Sequence, residues 1–223
     1  MAQAGVWGPQ APTYFFITVR GRRSRPRITP TMTTYTEQAE TILNEWVASE
    51  SLKKHVGAVA ASMRQFAQRS GGDPDLWYAV GLLHDMDYER YPDLGPGGHP
   101  FVGVDYLREH GWSDEVCRAI LSHAEYSSVS RESPMEKTLF AVDELSSFAL
   151  AVAMVKPTKS IFDVDVASVR KKMKDKAFAR AVSRDDITQG AQELGMPLDD
   201  LIGEVLTALQ ADAGKLGAAG IAM

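Results

Sequence analysis

The sequence contains one cysteine, Cys117, so no intramolecular disulfide framework can form. It also lacks any apolar run close to the roughly 20 residues that a membrane-spanning helix needs. These two absences predict a soluble protein without a membrane partner, in a reducing compartment and most simply in the cytoplasm. At 223 residues and 44% hydrophobic content, the chain is long enough to bury a core and short enough to form one domain.

Acidic residues are missing from residues 1–33, which carry five arginines together with several glycines and prolines. The apolar run in this segment, Tyr14 to Val19, precedes the arginines and is shorter than the roughly 7 to 15 residues of a signal-peptide core. This composition predicts a disordered basic N-terminal arm. An organelle-targeting segment or a phosphate-binding tail is the alternative interpretation.

Basic residues are in the minority after Thr33, where the chain carries 19 of its 24 basic residues and all 29 acidic ones. A nucleic-acid-binding protein would concentrate positive charge on its folded part, so this balance predicts no nucleic-acid partner. The main basic concentration there runs from Arg170 to Arg184, with Lys156 and Lys159 before it. It indicates a solvated helix face. Alternatively, this basic set forms part of the entrance for an anionic substrate, with Lys156 and Lys159 at its near side as substrate contacts.

Helical periodicity dominates the chain from Tyr35 onward, and no convincing alternating strand pattern follows the arm. We therefore predict an all-α fold in one domain over residues 34–210, with a motif core over 50–155 and C-terminal helices over 160–210. The Ala/Gly-rich residues 211–223 are expected to form a flexible tail. Four helices are predicted after Pro157, over residues 164–174, 177–182, 185–194 and 198–209.

A histidine and an aspartate stand side by side at His84-Asp85, directly after an apolar helical run. Burying an unpaired carboxylate is costly, so a metal or another partner is expected to compensate it. Adjacent helical residues point about 100° apart, so this pair would form two walls of a cluster that other helices complete. Four residues elsewhere in the chain are candidates for the rest of the cluster: His55, His99, His123 and Asp143.

Asp85 has two carboxylate oxygens and could bridge two metal ions. One ion would then take His55, His84 and Asp143, and the other His99 and His123. These ligand types suit Fe, Mn, Zn, Ni or Co without choosing among them. The positive charge of two divalent ions exceeds the negative charge of the two carboxylates, so such a centre attracts an anion. At a separation of roughly 3.5 to 4 Å, they can activate a bridging water and hold the oxygens of a phosphoryl group.

The order of these six residues, together with the element His99-Pro-Phe-Val-Gly103, resembles the HD-domain metal-dependent phosphohydrolases in their two-metal form. The likeness extends over about Glu50 to Val155. It is similar in detail to the HD-domain diadenosine tetraphosphate hydrolases and to the broader HDIG group, although Met86-Asp87 replaces the Ile-Gly of the HDIG motif. The resemblance implies a helical bundle, two divalent ions, and hydrolysis of a phosphate ester or anhydride, with a small nucleotide as substrate.

Within that mechanism Asp85 would bridge the ions, and the attacking group would be a hydroxide shared by both. Asp87 and Arg90, in the loop that follows, could supply a proton donor or a phosphate contact; the alternative is that they are solvated loop charges. The sequence is compatible with a homodimer and does not determine the oligomeric state.

Two other classes of protein remain open. Some HD-domain proteins use the same ligand set for a di-iron oxygenase that acts on a polyol or an organophosphonate. Those enzymes place a lysine about one turn after the fourth histidine, where this chain has Ser127. A metal-free HD module that binds a protein is the third class, but such modules usually lack some of the ligands.

Overall fold

The structure is a computed structural model that describes residues 33–221. The predicted basic arm lies outside the described residues, apart from Thr33. Between Thr33 and Ile221 the chain forms α-helices, two short 3₁₀ turns and two isolated β-bridges, with no β-strand. The prediction of an all-α fold is confirmed.

Nine α-helices lie within the described residues, and capping signals in the sequence mark several of their ends. Ser133 and Glu136 form a capping box ahead of α6, and Gly71 ends α2 in a left-handed conformation. The helices are α1 Tyr35–Trp46, α2 Glu50–Ser70, α3 Pro74–Leu83, α4 Phe101–Glu109, α5 Asp114–His123, α6 Pro134–Met154, α7 Val166–Met173, α8 Arg184–Glu193 and α9 Leu198–Ala211.

The core forms around α2 and α6, each 21 residues long, which pack against each other. Helix α3 packs on α2, whereas α5 and α8 pack on α6, and α9 contacts both long helices. Met63 of α2 and Phe148 of α6 are fully buried. The two long helices therefore act as the rigid frame against which the shorter helices are positioned.

Helices α2 and α3 approach each other closely at Gly81. A Cβ atom at this position would lie 2.5 Å from Ala60 Cα and 2.7 Å from Ala60 N, closer than real Cβ atoms come. Only glycine fits here, because any side chain would collide with the backbone of α2. This contact brings the C-terminal end of α3 against α2, next to His55.

Residues 177–182 differ from their prediction as a helix and form successive turns instead. The Asp175 side chain accepts hydrogen bonds from the backbone N–H groups of Ala177 and Phe178, and Ala179 has a φ of 39°. The Arg184 guanidinium donates to the carbonyls of Phe178, Ala179 and Val182. Side chains therefore satisfy backbone groups that a helix would have paired within itself.

The predicted flexible tail also differs from the structure as far as Ile221. Ala213, Leu216 and Ala218 are buried, and the Ile161 N–H donates to the Ala218 carbonyl at 2.9 Å. The Ile221 N–H donates to the Thr158 carbonyl at the same distance. Small side chains allow this segment to lie against the loop after α6, so the Ala/Gly-rich composition reflects close packing.

None of the helices between Thr33 and Ile221 combines the length and the apolar character needed to cross a membrane. The cytoplasmic location stays a prediction.

Candidate metal centre

Five separate segments bring the six candidate ligand side chains together. His55 comes from the first turns of α2, and Asp143 lies midway along α6. The other four stand at or near helix ends. His84 and Asp85 follow α3 directly, His99 precedes α4, and His123 is the last residue of α5.

The six residues form two groups of three, in which the potential ligand atoms lie within 4.8 Å of one another. One group is His55, His84 and Asp143, and the other is Asp85, His99 and His123. This is the division expected if Asp85 stands between two ions. The assignment of the six residues as ligands nevertheless remains a prediction.

Asp85 contacts residues of both groups, and its Oδ1 also lies 3.6 Å from His84 Nε2. Its Oδ1 lies 3.4 Å from His99 Nε2 and 3.5 Å from His123 Nε2, whereas its Oδ2 lies 3.2 Å from His55 Nε2. Asp143 Oδ1 lies 3.2 Å from His55 Nε2 and 3.4 Å from His84 Nε2. A single carboxylate, that of Asp85, therefore joins the two groups.

The four imidazole rings all turn the same nitrogen inward. Each Nδ1 has an acceptor outside the cluster, which leaves each Nε2 facing the carboxylates. The distances from Nδ1 are 2.6 Å to Ser147 Oγ for His55, 2.8 Å to the Gly81 carbonyl for His84, 2.8 Å to Asp87 Oδ1 for His99, and 2.5 Å to the Ile120 carbonyl for His123. If each Nδ1 carries the proton, the inner nitrogens present only lone pairs. Four nitrogen lone pairs that face two carboxylates form a suitable binding site for a cation.

The pKa values of the cluster reflect the same concentration of negative charge. Burial lowers the pKa of His55, but hydrogen bonds and charges from Asp143 and Asp85 outweigh burial and raise this pKa to about 10. Burial acts to raise the pKa of Asp85 and of Asp143, but the charge on His84 and hydrogen bonds from neighbouring histidines hold both well below their usual range. The carboxylates thus draw positive charge inward, and a divalent ion can supply it in place of a proton.

Asp87 is not a solvated loop charge, because only 1% of its surface is exposed. Its Oδ1 accepts from His99 Nδ1 at 2.8 Å, and its Oδ2 accepts from the Gly103 N–H at 2.7 Å. Both oxygens are thus occupied, which corrects the predicted role as a proton donor or phosphate contact. Asp87 instead orients His99.

The same contact explains why the His-Pro-x-x-Gly element ends in glycine. A Cβ atom at Gly103 would lie 3.0 Å from Asp87 Cγ, closer than most real Cβ contacts. Glycine leaves space for the carboxylate to approach the backbone N–H, and the carboxylate then holds His99 at the other end of the element.

Replacing Asp87 by asparagine should weaken metal binding about 10- to 100-fold, the usual effect of losing a group that orients a ligand. An amide has only one oxygen, so either His99 or the Gly103 N–H loses its acceptor. Competition with a chromophoric chelator measures the affinity. Asp105→Asn, on the exposed face of α4, is the matched control. Unchanged affinity in Asp87→Asn would remove the orienting role.

Arg90 does not point into the cluster. Its guanidinium donates to the Glu45 carbonyl and stacks over the Trp46 ring, with Cζ 4.9 Å from the ring centroid. The neighbouring Glu89 accepts from the N–H groups of Ala48 and Ser49, which precede α2. The charges after Asp87 therefore attach the loop to α1 and α2, and the predicted catalytic role of Arg90 does not fit this position.

Lys156 and Lys159 are likewise absent from the lining of the three cavities that border the candidate ligands. Lys156 Nζ donates to Ser168 Oγ at 3.0 Å and so connects the end of α6 to α7. Lys159 lies in the following turn, with a φ of 50°. Their predicted substrate contacts are not supported by this placement.

Several residues around the cluster were not predicted from the sequence. Ser147 holds His55 Nδ1, and its position one helical turn after Asp143 was a usable signal. Tyr88, 47% exposed, places its ring edge-on to His99 with centroids 5.2 Å apart. Burial, followed by the nearby Asp85 and Asp87 charges, raises the pKa of Tyr126 to about 12. No spacing rule locates the two tyrosines, because both lie in irregular segments.

The cluster belongs to a segment with known relatives. Residues 52–148 match the HD domain family. The matched segment contains all six candidate ligands, from His55 in α2 to Asp143 in α6. The predicted HD domain is confirmed for this segment.

Three ribonuclease Y proteins are similar to part of this chain. The protein of Rhodopirellula baltica is 32% identical over 99 residues, 44% of this chain and 18% of its own length. That of a Sulfurovum species is 27% identical over 134 residues (59% and 26%), and that of Aquifex aeolicus is 33% identical over 99 residues (44% and 17%). The matches thus cover about a quarter or less of each relative. No solved structure gives a significant match.

Proposed function

We propose that this protein is a metal-dependent hydrolase of phosphate esters or anhydrides, and that its substrate is a small nucleotide. The observation that carries the proposal is the meeting of four imidazole nitrogens and two carboxylates in two groups joined by Asp85. With Asp85 shared between them, one group offers four protein ligands and the other three, which leaves positions open for water and substrate. The HD-domain match over residues 52–148 supports the same assignment.

The residues of this chain would hold the reacting groups in place. Two divalent ions, when bound, supply an activated water and stabilise charge on the phosphoryl oxygens. Asp85 sets the separation of the two groups, and His55, His84 and Asp143 complete one group while His99 and His123 complete the other. The outward Nδ1 hydrogen bonds keep each ring from rotating, so the ligands are positioned before substrate arrives.

RNA is the second candidate substrate, because the three similar proteins are named ribonucleases. Their names conflict with the prediction that this protein has no nucleic-acid partner. RNA and a small nucleotide both offer a phosphate group whose phosphorus can be attacked. In RNA, further phosphates follow on both sides of an internal phosphate, whereas a small nucleotide ends after a few phosphates. The diadenosine tetraphosphate hydrolase subgroup is a narrower proposal within the small-nucleotide class.

An assay of purified protein with defined metal content tests the proposal. The protein is loaded separately with Mn, Fe, Ni, Co or Zn, and the bound ions are counted by elemental analysis. The substrates are nucleoside mono- and triphosphates, dinucleoside polyphosphates and a short RNA. We expect metal-dependent hydrolysis of a small nucleotide, abolished by chelation and restored by adding metal.

Two outcomes would overturn the proposal. Protein that holds two ions but hydrolyses none of these compounds is not a phosphohydrolase of this class. Oxygen consumption coupled to a polyol or an organophosphonate, with a mixed-valence iron signal, would assign the oxygenase function instead. Cleavage of RNA alone would keep the chemistry and replace the substrate.

A further inference from the structure

The cavities that border the candidate metal centre differ in charge. One, of about 260 Å³, is lined by His123 and Asp143 together with Glu125, Glu144 and Asp186, and no lysine or arginine is among its lining residues. This acidic cavity opposes the entry of an anionic chain.

Two other cavities share Ser51 and His55 among their lining residues. The larger, of about 550 Å³, also contains Asp85 and Tyr88, and the smaller, of about 220 Å³, contains Lys54. The smaller cavity continues past Ser147 to an apolar wall of Leu150, Ala151, Met154 and Leu216. The smaller cavity thus brings the candidate ligand His55, a cation and an apolar surface together.

Lys54 is the one lysine or arginine that lines any of these three cavities within the described residues. No carboxylate in this part of the chain lies within 4 Å of its ammonium group, whereas Lys53 pairs with Glu50 at 3.6 Å. The Lys54 charge is therefore free to meet a ligand, and it sits next to the residue that contacts both Asp85 and Asp143.

We infer that the anionic part of the substrate extends from the metal centre past His55 to Lys54, and that a nucleobase beyond it packs on Leu150, Met154 and Leu216. The inference rests on the proposed function and specifies its substrate. Lys54 attracts phosphate, while the acidic cavity repels it, so the two together orient the substrate. The side of the reacting phosphorus from which no further phosphates extend then faces Glu144 and Asp186.

This orientation favours one class of substrate. A nucleoside polyphosphate places its remaining phosphates on one side of the reacting phosphorus. An internal RNA phosphodiester continues as a polyanion on both sides, and one of them would have to enter the acidic cavity. The site is therefore built for a nucleotide with a phosphate chain, and internal RNA linkages should react poorly.

Lys54→Met tests the inference, and Lys53→Met is the matched control on the same helical turn. We expect Lys54→Met to raise KM for a nucleoside triphosphate about tenfold, since a charge-assisted contact is lost. The Kd of a fluorescent non-hydrolysable triphosphate, measured by anisotropy on metal-loaded protein, should rise equally. Metal content and the kcat for p-nitrophenyl phosphate, which has no second phosphate for Lys54 to bind, should not change. Lys53→Met should match the wild type in all four measurements.

Equal nucleotide affinity in Lys54→Met and Lys53→Met would overturn the inference. So would wild-type cleavage of internal RNA linkages as efficient as that of the triphosphate. If metal-loaded wild-type protein hydrolyses p-nitrophenyl phosphate but Lys54→Met leaves triphosphate binding unchanged, the inference fails and the proposed function stands. If the wild type hydrolyses nothing, the proposed function fails, and the anisotropy measurement still determines whether Lys54 holds the phosphates.

Discussion

Asp85→Ala is expected to lower hydrolysis by at least about 1,000-fold and to release bound metal. Asp85 is the carboxylate that contacts both groups of ligands, with Oδ1 near His99 and His123 and Oδ2 near His55. Its removal takes a ligand from each group and leaves four imidazoles facing one carboxylate. The electrostatic stabilisation that a metal ion provides amounts to several kcal/mol, and each 1.36 kcal/mol is a factor of ten in rate.

Elemental analysis and the rate of phosphate release, measured on the same preparation, would check this expectation. Circular dichroism should show that the helices persist, because Asp85 follows α3 and satisfies no helix backbone group. Asp105→Ala, which removes an exposed carboxylate from α4, is the matched control and should behave as the wild type. An Asp85→Ala protein that keeps two ions would contradict the bridging role and require a different arrangement of ligands.

Gly81→Ala should destabilise the fold by about 1 to 3 kcal/mol, although the change adds only a methyl group. That methyl would lie 2.5 Å from Ala60 Cα, so α2 and α3 would have to separate. The two helices carry His55 and His84, whose Nε2 atoms are 3.1 Å apart. Metal affinity should therefore fall together with stability.

Gly203→Ala provides a control for this prediction. Gly203 lies within α9, where an added Cβ would meet only Val166 Cγ2, at 4.0 Å. Alanine favours the helix over glycine, so this variant should gain up to about 1 kcal/mol. Urea unfolding of both variants measures the difference. If Gly81→Ala were as stable as the wild type, the close approach of α2 to α3 would not be needed to form the site.

Periodic and local signals account for most of the fold that could be predicted. The apolar spacing between Ser51 and Phe66 predicted α2, and the Ser133-to-Glu136 capping box placed the start of α6 correctly. These features arise within one turn of chain, so they are visible without tertiary contacts. Where side-chain contacts with the backbone decide the chain path, prediction was poor, as with the turns over 177–182 that Arg184 holds.

Charged residues near the ligands show the same limit. The position of Asp87 next to the metal motif suggested a catalytic acid, but its environment depends on Gly103, 16 residues later. Arg90 was equally plausible until the position of Trp46 was known. Proximity in sequence therefore did not indicate which charges face the centre, because the loop after Asp85 turns some side chains inward and others toward α1.

The sequence alone determined the composition of the candidate centre: four histidines and two aspartates on helices, with one His-Asp pair following a buried run. It also showed enough acidic charge elsewhere in the chain to disfavour a general nucleic-acid surface. Ligand identity and helical spacing are local properties of the chain, so they could be obtained without coordinates. The tertiary structure decided that Asp87 orients a histidine and that Lys54 is the cation beside the centre. These features depend on how α2, α3 and α6 pack, and packing is set by close contacts such as Gly81 against Ala60 that no single segment reveals.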